Sequence, residues 1–257
     1  MSNKKIIIGN WKMHPTTLKE ADKLYNRVIK HITGLKKTEI VVCTPFVYLE
    51  KLSKIRSSKL KLGGQDLFPG DVGPFTGEVS GGMLSDIGLK YVILGHSERR
   101  ALGETNEFIN KKIKSALVFG LVPILCVGEK ERDLEHGYFE IVKNQISECL
   151  KGISKDSLSK IIIAYEPVWS ISTTENRRDA TSGDAREMAV FIRKILSDLS
   201  SPDVAHKTRV IYGGSVNDRD AEDFLASGGV DGLLVGKASL DAEKFSKIIK
   251  ICETLSK

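Results

Sequence analysis

Long hydrophobic runs are missing from this sequence. No stretch approaches the ~20 consecutive apolar residues that a membrane helix needs. Yet 41% of the 257 residues are hydrophobic, so the apolar material lies in short pieces suited to a sizeable core. The first such piece, Ile6-Ile7-Ile8, is too short for the h-region of a signal peptide. A cytoplasmic protein with no membrane partner is therefore expected. Cysteine is scarce: Cys43, Cys126, Cys149 and Cys252, none of them in a CxxC pair. That speaks against a disulfide framework or a redox dithiol and predicts reduced, mostly buried thiols. His14, His31, His96, His136 and His206 show no ligand spacing, which speaks against a metal enzyme. Concentrated charge is absent too. The net charge of +6 comes from doublets such as Lys36-Lys37, Arg99-Arg100 and Lys111-Lys112, scattered along the chain. Without a basic stripe interleaved with aromatics, nucleic acid is not an expected partner, although the surplus would help draw in small anions.

What is present is a strict alternation. Apolar runs rich in β-branched residues recur at Lys5–Gly9, Glu39–Thr44, Lys59–Gly64, Tyr91–Gly95, Val122–Val127, Ile161–Tyr165, Arg209–Tyr212 and Gly232–Val235. Each is too brief for a helix and reads as a strand buried on both faces. Between them lie helical spacings, such as Leu18, Ala21, Tyr25 and Val28, or Met188, Ala189, Ile192 and Ile195, and a last helix from about Asp241. Buried strands alternating with amphipathic helices imply a parallel sheet. Eight such units without a linker predict an α/β fold, a single parallel eight-stranded (β/α)₈ barrel occupying 1–257. A doubly wound open sheet is the runner-up, but no glycine fingerprint follows the first strand.

In a barrel the strand ends converge on the C-terminal face, where active sites lie. Those ends carry Asn10 and Lys12 after the first strand, His96 and Glu98 after the fourth, and Glu166 after the sixth. Pro167 biases Glu166 toward an extended backbone. Gly213-Gly214-Ser215 follows the seventh strand and Gly236-Lys237 the eighth. Glycines there let backbone amides approach a ligand, and amides at a helix start favour phosphate. Singly, Lys12, His96 and Glu166 would be a surface lysine, a helix-capping histidine and a loop carboxylate. Jointly, around a small phosphorylated ligand, they suggest proton abstraction next to a carbonyl. Glu166 would take the carbon-bound proton, His96 would polarise the oxygens, and Lys12 would stabilise an enediolate. A helix starting just after His96 favours the uncharged imidazole. From Pro167 to Asp184 runs a stretch of eighteen residues with few helix-forming signals, read as a lid.

Several strings resemble the triosephosphate isomerase family: Gly9-Asn10-Trp11-Lys12-Met13, Leu94-Gly95-His96-Ser97-Glu98-Arg99-Arg100, Ala164-Tyr165-Glu166-Pro167-Val168-Trp169 and Tyr212-Gly213-Gly214-Ser215-Val216. So do Phe75-Thr76-Gly77-Glu78-Val79-Ser80 and Cys126-Val127-Gly128-Glu129. The resemblance runs in order through nearly the whole chain. It implies interconversion of dihydroxyacetone phosphate and glyceraldehyde 3-phosphate, in glycolysis and gluconeogenesis, with neither metal nor cofactor. It implies that Asn10 and Lys12 bind substrate, that His96 is the electrophile and Glu166 the base, and that Glu98 supports Lys12. Ile171 and Leu234 correspond to the apolar pair shielding the base. Ser172, Ser215, Gly236 and Lys237 would meet the phosphate. Pro167, Val168 and Trp169 form the lid's first hinge, while Tyr212 would latch the closed lid near Ala180. The long tip at 65–79 corresponds to an arm that inserts into a second subunit, with Thr76 reaching the partner's site and Phe75 beside it. Left in water, its Leu67, Phe68, Val72 and Phe75 would make a costly apolar patch, so a homodimer is expected.

Two departures stand out. The family commonly has Ala-Ile-Gly-Thr-Gly-Lys-Thr-Ala-Thr in the lid, whereas this chain has Ser170-Ile171-Ser172-Thr173-Thr174-Glu175-Asn176-Arg177-Arg178-Asp179-Ala180-Thr181, three residues longer with both glycines replaced. Lys237 also stands where the family usually has glycine; its side chain is expected to reach solvent while its amide faces phosphate. The residues alone leave two alternatives open: a barrel that has lost catalysis and only binds, and another sugar-phosphate enzyme such as a Schiff-base aldolase.

Overall fold

The computed structural model describes residues 4–55, 57–171 and 178–256. Each apolar run forms a strand: β1 Ile6–Asn10, β2 Glu39–Cys43, β3 Leu60–Gly64, β4 Tyr91–Leu94, β5 Val122–Val127, β6 Ile162–Tyr165, β7 Arg209–Tyr212 and β8 Gly232–Val235. Neighbours pair in parallel and in chain order, and β8 pairs back onto β1, with Ile6 opposite Gly232 and Ile8 opposite Leu234. The sheet is closed, which removes the open doubly wound alternative. Alternating side chains divide the core. Ile6, Ile8, Val41, Ile93, Cys126 and Ala164 fill the barrel interior. Ile7, Val42, Val92, Leu125, Ile163 and Val235 pack outward against the helices. Two-sided burial explains why the strand sequences are continuous apolar runs and not alternating ones.

The surrounding helices are α1 Leu18–His31, α2 Phe46–Ser53, α3 Gly81–Asp86, α4 Ser97–Ala101, α5 Asn106–Val118, α6 Tyr138–Cys149, α7 Lys155–Leu158, α8 Ser182–Leu199, α9 Pro202–Lys207, α10 Ala221–Ser227 and α11 Ala242–Leu255. Among the described residues none is long and apolar enough to cross a membrane. All four cysteines are free and buried.

Two expectations change. The stretch from Pro167 to Asp184 is not loop throughout. Val168–Ser170 forms a 3₁₀ turn, and α8 starts well before the apolar spacing at Met188. A capping box sets that start: the Thr181 hydroxyl accepts from the Asp184 amide (3.1 Å), and the Asp184 carboxylate accepts from the Thr181 amide (2.8 Å). The 65–79 tip, in turn, is only partly apolar on its outside. Leu67 is buried in its own barrel. Phe68 packs on Phe75 and Phe108, with ring centroids 4.4 and 6.1 Å away. Val72 and Phe75 stay exposed, at 83% and 44%.

Candidate active site

At the C-terminal ends of the strands lies a cavity of about 750 Å³. Asn10, Lys12, His96, Glu166, Ile171 and Leu234 line it, and the turns at Ser215 and Gly236-Lys237 close its far side. Five strand ends, from Asn10 after β1 to Lys237 after β8, thus contribute to one space because the sheet is a closed parallel barrel. Lys237 is exposed at the rim. Ser172 and Thr174 lie outside the described residues.

His96 is the N-cap residue of α4. Its Nδ1 accepts from the Glu98 amide at 3.2 Å. With Nδ1 engaged by that amide, Nε2 is the ring nitrogen turned toward the cavity. Nε2 lies 3.2 Å from Glu166 Oε1. The second carboxylate oxygen, Oε2, accepts from the Ser97 amide at 3.1 Å. Glu166 is only 2% exposed and His96 6%, so this pair is held away from bulk water. Ile171 and Leu234 are both buried beside it. Burial pushes the Cys126 thiol well above its ordinary range, and the neighbouring Glu166 carboxylate adds to the shift. Cys126 therefore stays a protonated, apolar support beneath the carboxylate.

Lys12 adopts a left-handed backbone, φ 53°, which an L side chain enters only when its surroundings hold it there. They do. The Lys12 amide donates to Asn10 Oδ1 (3.0 Å), and Gln65 Nε2 donates to the Lys12 carbonyl (2.9 Å) and the Cys43 carbonyl (3.1 Å). The Lys12 ammonium is thereby aimed along the cavity wall, where it pairs with Glu98 Oε1 at 2.5 Å. Gln65 follows β3 and was legible in the sequence only as part of the arm; nothing in its local context marks it as the clamp on Lys12. Its neighbour Asp66 is anchored by Arg99 Nη2 (2.9 Å) and by the buried Lys112 ammonium (2.6 Å). Arg99 adjoins Glu98, so the loops after β3 and β4 are locked together behind Lys12.

Beneath Pro167 lies a second group. Glu129 is fully buried and its Oε1 accepts from the Tyr165 hydroxyl (2.7 Å), Trp169 Nε1 (2.8 Å) and Arg132 Nε (3.2 Å). Burial foremost, together with the Glu129 charge, drives the Tyr165 hydroxyl far above its usual range, so it donates. Arg132 also reaches Asp184 (2.9 Å) and Glu187 (2.8 Å) on α8. The Val168 amide donates to the Glu129 carbonyl at 2.9 Å. The Arg178 guanidinium lies over the Trp169 ring at 4.5 Å. The Ala180 amide donates to Ser170 Oγ at 3.2 Å, and the same Ser170 side chain neighbours the buried Tyr212 hydroxyl. In this conformation, then, the partner of Ala180 is Ser170 and not Tyr212. Gly214 is required beside that hydroxyl, since a Cβ there would come within 2.2 Å of Tyr212 Oη and 3.1 Å of Pro167 Cγ. Thr76 does not line the cavity; it is exposed on the arm.

The arrangement offers a carboxylate, an imidazole and an ammonium around a space lined on one side by glycine-rich turns. Comparison with known proteins agrees with it. Residues 5–252 match the family model described as triosephosphate isomerase. The chain is 46% identical over 250 residues to the triosephosphate isomerase of Dictyoglomus thermophilum, spanning 96% of this chain and 99% of that one. It is 46% identical over 247 residues to that of Thermoanaerobacter pseudethanolicus, spanning 95% and 98%. With the barrel closed and the similarity extending almost end to end, this chain belongs to the triosephosphate isomerase family.

Proposed function

We propose that this chain catalyses the interconversion of dihydroxyacetone phosphate and glyceraldehyde 3-phosphate, as a cytoplasmic homodimer serving glycolysis and gluconeogenesis. The observation that carries the reading is the His96–Glu166 pair: a carboxylate 3.2 Å from an imidazole whose other nitrogen already accepts a backbone N–H. Such a ring can only donate from Nε2. A substrate carbonyl entering the cavity takes that donor, and the displaced Glu166 carboxylate is left facing the adjacent carbon. Glu166 removes the proton from C1 of dihydroxyacetone phosphate while the C2 oxygen gains negative charge. His96 Nε2–H and the Lys12 ammonium stabilise that oxygen. Return of the proton to C2, with a proton shifted between the two oxygens, completes an isomerisation that needs no external oxidant or reductant. Asn10 holds Lys12 in register. The phosphate sits against Ser215 and the Gly236-Lys237 turn, joined by Ser172, and Ile171 and Leu234 keep water from the base.

The Pro167-Val168-Trp169 segment serves as the hinge of a lid. Tyr212 latches the closed state, its hydroxyl exchanging for Ser170 as the partner of the Ala180 amide. The dimer reading is supported by the placement of exposed apolar side chains. Met13 (90% exposed) follows β1, Val47 (79%) follows β2, Val72 and Phe75 follow β3, and Leu102 (78%) follows β4. Consecutive strands put all of them on one half of one rim, where the arm carrying Phe75 and Thr76 would meet a second copy.

A coupled isomerase assay tests the chemistry. Glu166→Gln keeps the shape of the side chain and removes the base, so turnover should fall by about 10³-fold, within the range of general-base catalysis. Retention of more than a tenth of wild-type turnover by that variant would sink the assignment.

A further inference from the structure

The opposite end of the barrel carries a feature that the proposed reaction does not use. Basic residues scattered through the sequence are placed just ahead of the strands: Lys4 and Lys5 precede β1, Lys59 precedes β3, Lys90 precedes β4, and Lys160 and Lys207 stand two residues ahead of β6 and β7. In a closed parallel barrel every strand starts at the same end. Residues far apart in the chain therefore gather on the barrel floor. There they border a cavity of about 490 Å³, lined by Lys4, Lys160, Lys207, Arg209, Glu39 and the hydroxyl-bearing Ser157 and Ser159. That volume falls in the range of small-molecule sites.

The charge in this cavity is unbalanced. Among the described residues Glu39 is its only acidic lining residue, and its carboxylate is already saturated by the Lys61 ammonium, the Tyr91 hydroxyl and Arg209 Nη1. Arg209 is largely buried, with a side-chain exposure of 16%. Its Nη1 donates to Glu39 and its guanidinium also meets the Tyr91 hydroxyl, which leaves the rest of its five N–H donors for a ligand. Lys160 makes no ion pair among the described residues, and Lys4 has only the Lys36 carbonyl (3.1 Å). A partly buried guanidinium with spare donors, ringed by lysines and hydroxyls, is an environment that favours a multiply charged oxyanion.

We propose that the barrel floor binds a compact polyphosphate, inorganic or carried by a nucleoside, held by Arg209, Lys160 and Lys4 with Ser157 donating to its oxygens. The site is separate from the triose cavity and does not depend on the reaction assigned to that cavity. Isothermal titration of the full-length wild-type protein with tripolyphosphate, ATP and adenosine tests it. Tripolyphosphate should bind with an affinity that drops as salt rises, since the contacts are ionic and solvent-screened. Adenosine should not bind. Equal affinity for ATP and tripolyphosphate identifies the phosphate chain as the whole ligand; tighter binding of ATP adds the nucleoside to it. Lys160→Glu, at an exposed position far from the triose cavity, should weaken tripolyphosphate by about tenfold through charge reversal, Lys160→Arg should restore it, and both should keep isomerase turnover. Absence of binding at millimolar tripolyphosphate overturns the proposal. So does binding that Lys160→Glu leaves intact but Lys237→Glu abolishes, which would place the anion in the triose cavity.

Discussion

Glu39 shows how a single buried charge is made permanent. Desolvation alone would raise its pKa, but hydrogen bonds from Lys61, Tyr91 and Arg209 outweigh it and hold the carboxyl down at about 2. A folded pKa below the unfolded one means that the associated stability is present above the ordinary carboxylate range and is lost as pH falls through about 2. Acid unfolding monitored by far-UV dichroism should therefore soften between pH ~4.5 and ~2. Glu39→Gln should flatten that limb while costing roughly 3 kcal/mol at neutral pH, because Arg209 loses its counter-charge in a partly buried site. An unchanged acid limb in Glu39→Gln would show that other carboxylates govern it. Lys12 is a second case at this scale. Its left-handed backbone is locally unfavourable and is retained because Asn10 and Gln65 take up its amide and carbonyl.

Among the elements, the segment after β6 differs most from the family pattern. It keeps Pro167-Val168-Trp169 and lacks both customary glycines. Two cations lie against Trp169, Arg178 at 4.5 Å and Arg132 at 5.4 Å. Arg132 belongs to the buried Glu129 cluster, whereas Arg178 stands just ahead of α8 in the altered segment and is exposed. At such a site a cation–π contact contributes about 0.5–1 kcal/mol. Arg178→Ala should therefore shift the hinge equilibrium about two- to fivefold and change kcat and KM together, not either alone. The cheapest readout is indole emission. Trp11 is fully buried and gives a constant background, so a red shift in ligand-free Arg178→Ala reports Trp169. Emission identical to wild type would remove Arg178 from the account of the lid.

For the whole molecule the question is how the exposed apolar rim is covered. Light scattering at micromolar concentration should give twice the mass of the chain. Phe75→Asp should halve the mass and lower turnover by more than about tenfold, since a charge is not tolerated in a buried interface. A monomeric wild-type protein with full activity would overturn the homodimer. The triose cavity and the basic floor occupy opposite ends of one barrel, so each can be altered without disturbing the other.

Local chemistry in the sequence determined the eight strands and the long amphipathic helices α1, α8 and α11. Runs such as Ile161–Tyr165 have no choice but double-sided burial, and their bounds moved by a residue or so at most. The identities of Lys12, His96 and Glu166 were legible for the same reason, each standing where an apolar run stops. Helix starts set by caps were less visible than those set by apolar spacing, hence the early start of α8 at Thr181 and Asp184. The burial of Leu67 depended on neighbours distant in the chain. So did the clamp from Gln65 to Lys12, since an amide side chain has no local signature of its partner. The dispersed lysines illustrate the limit best. Linear spacing made them a solvated surface, but parallel closure brings residues that precede different strands to one end, and only that closure turns scattered charge into a field.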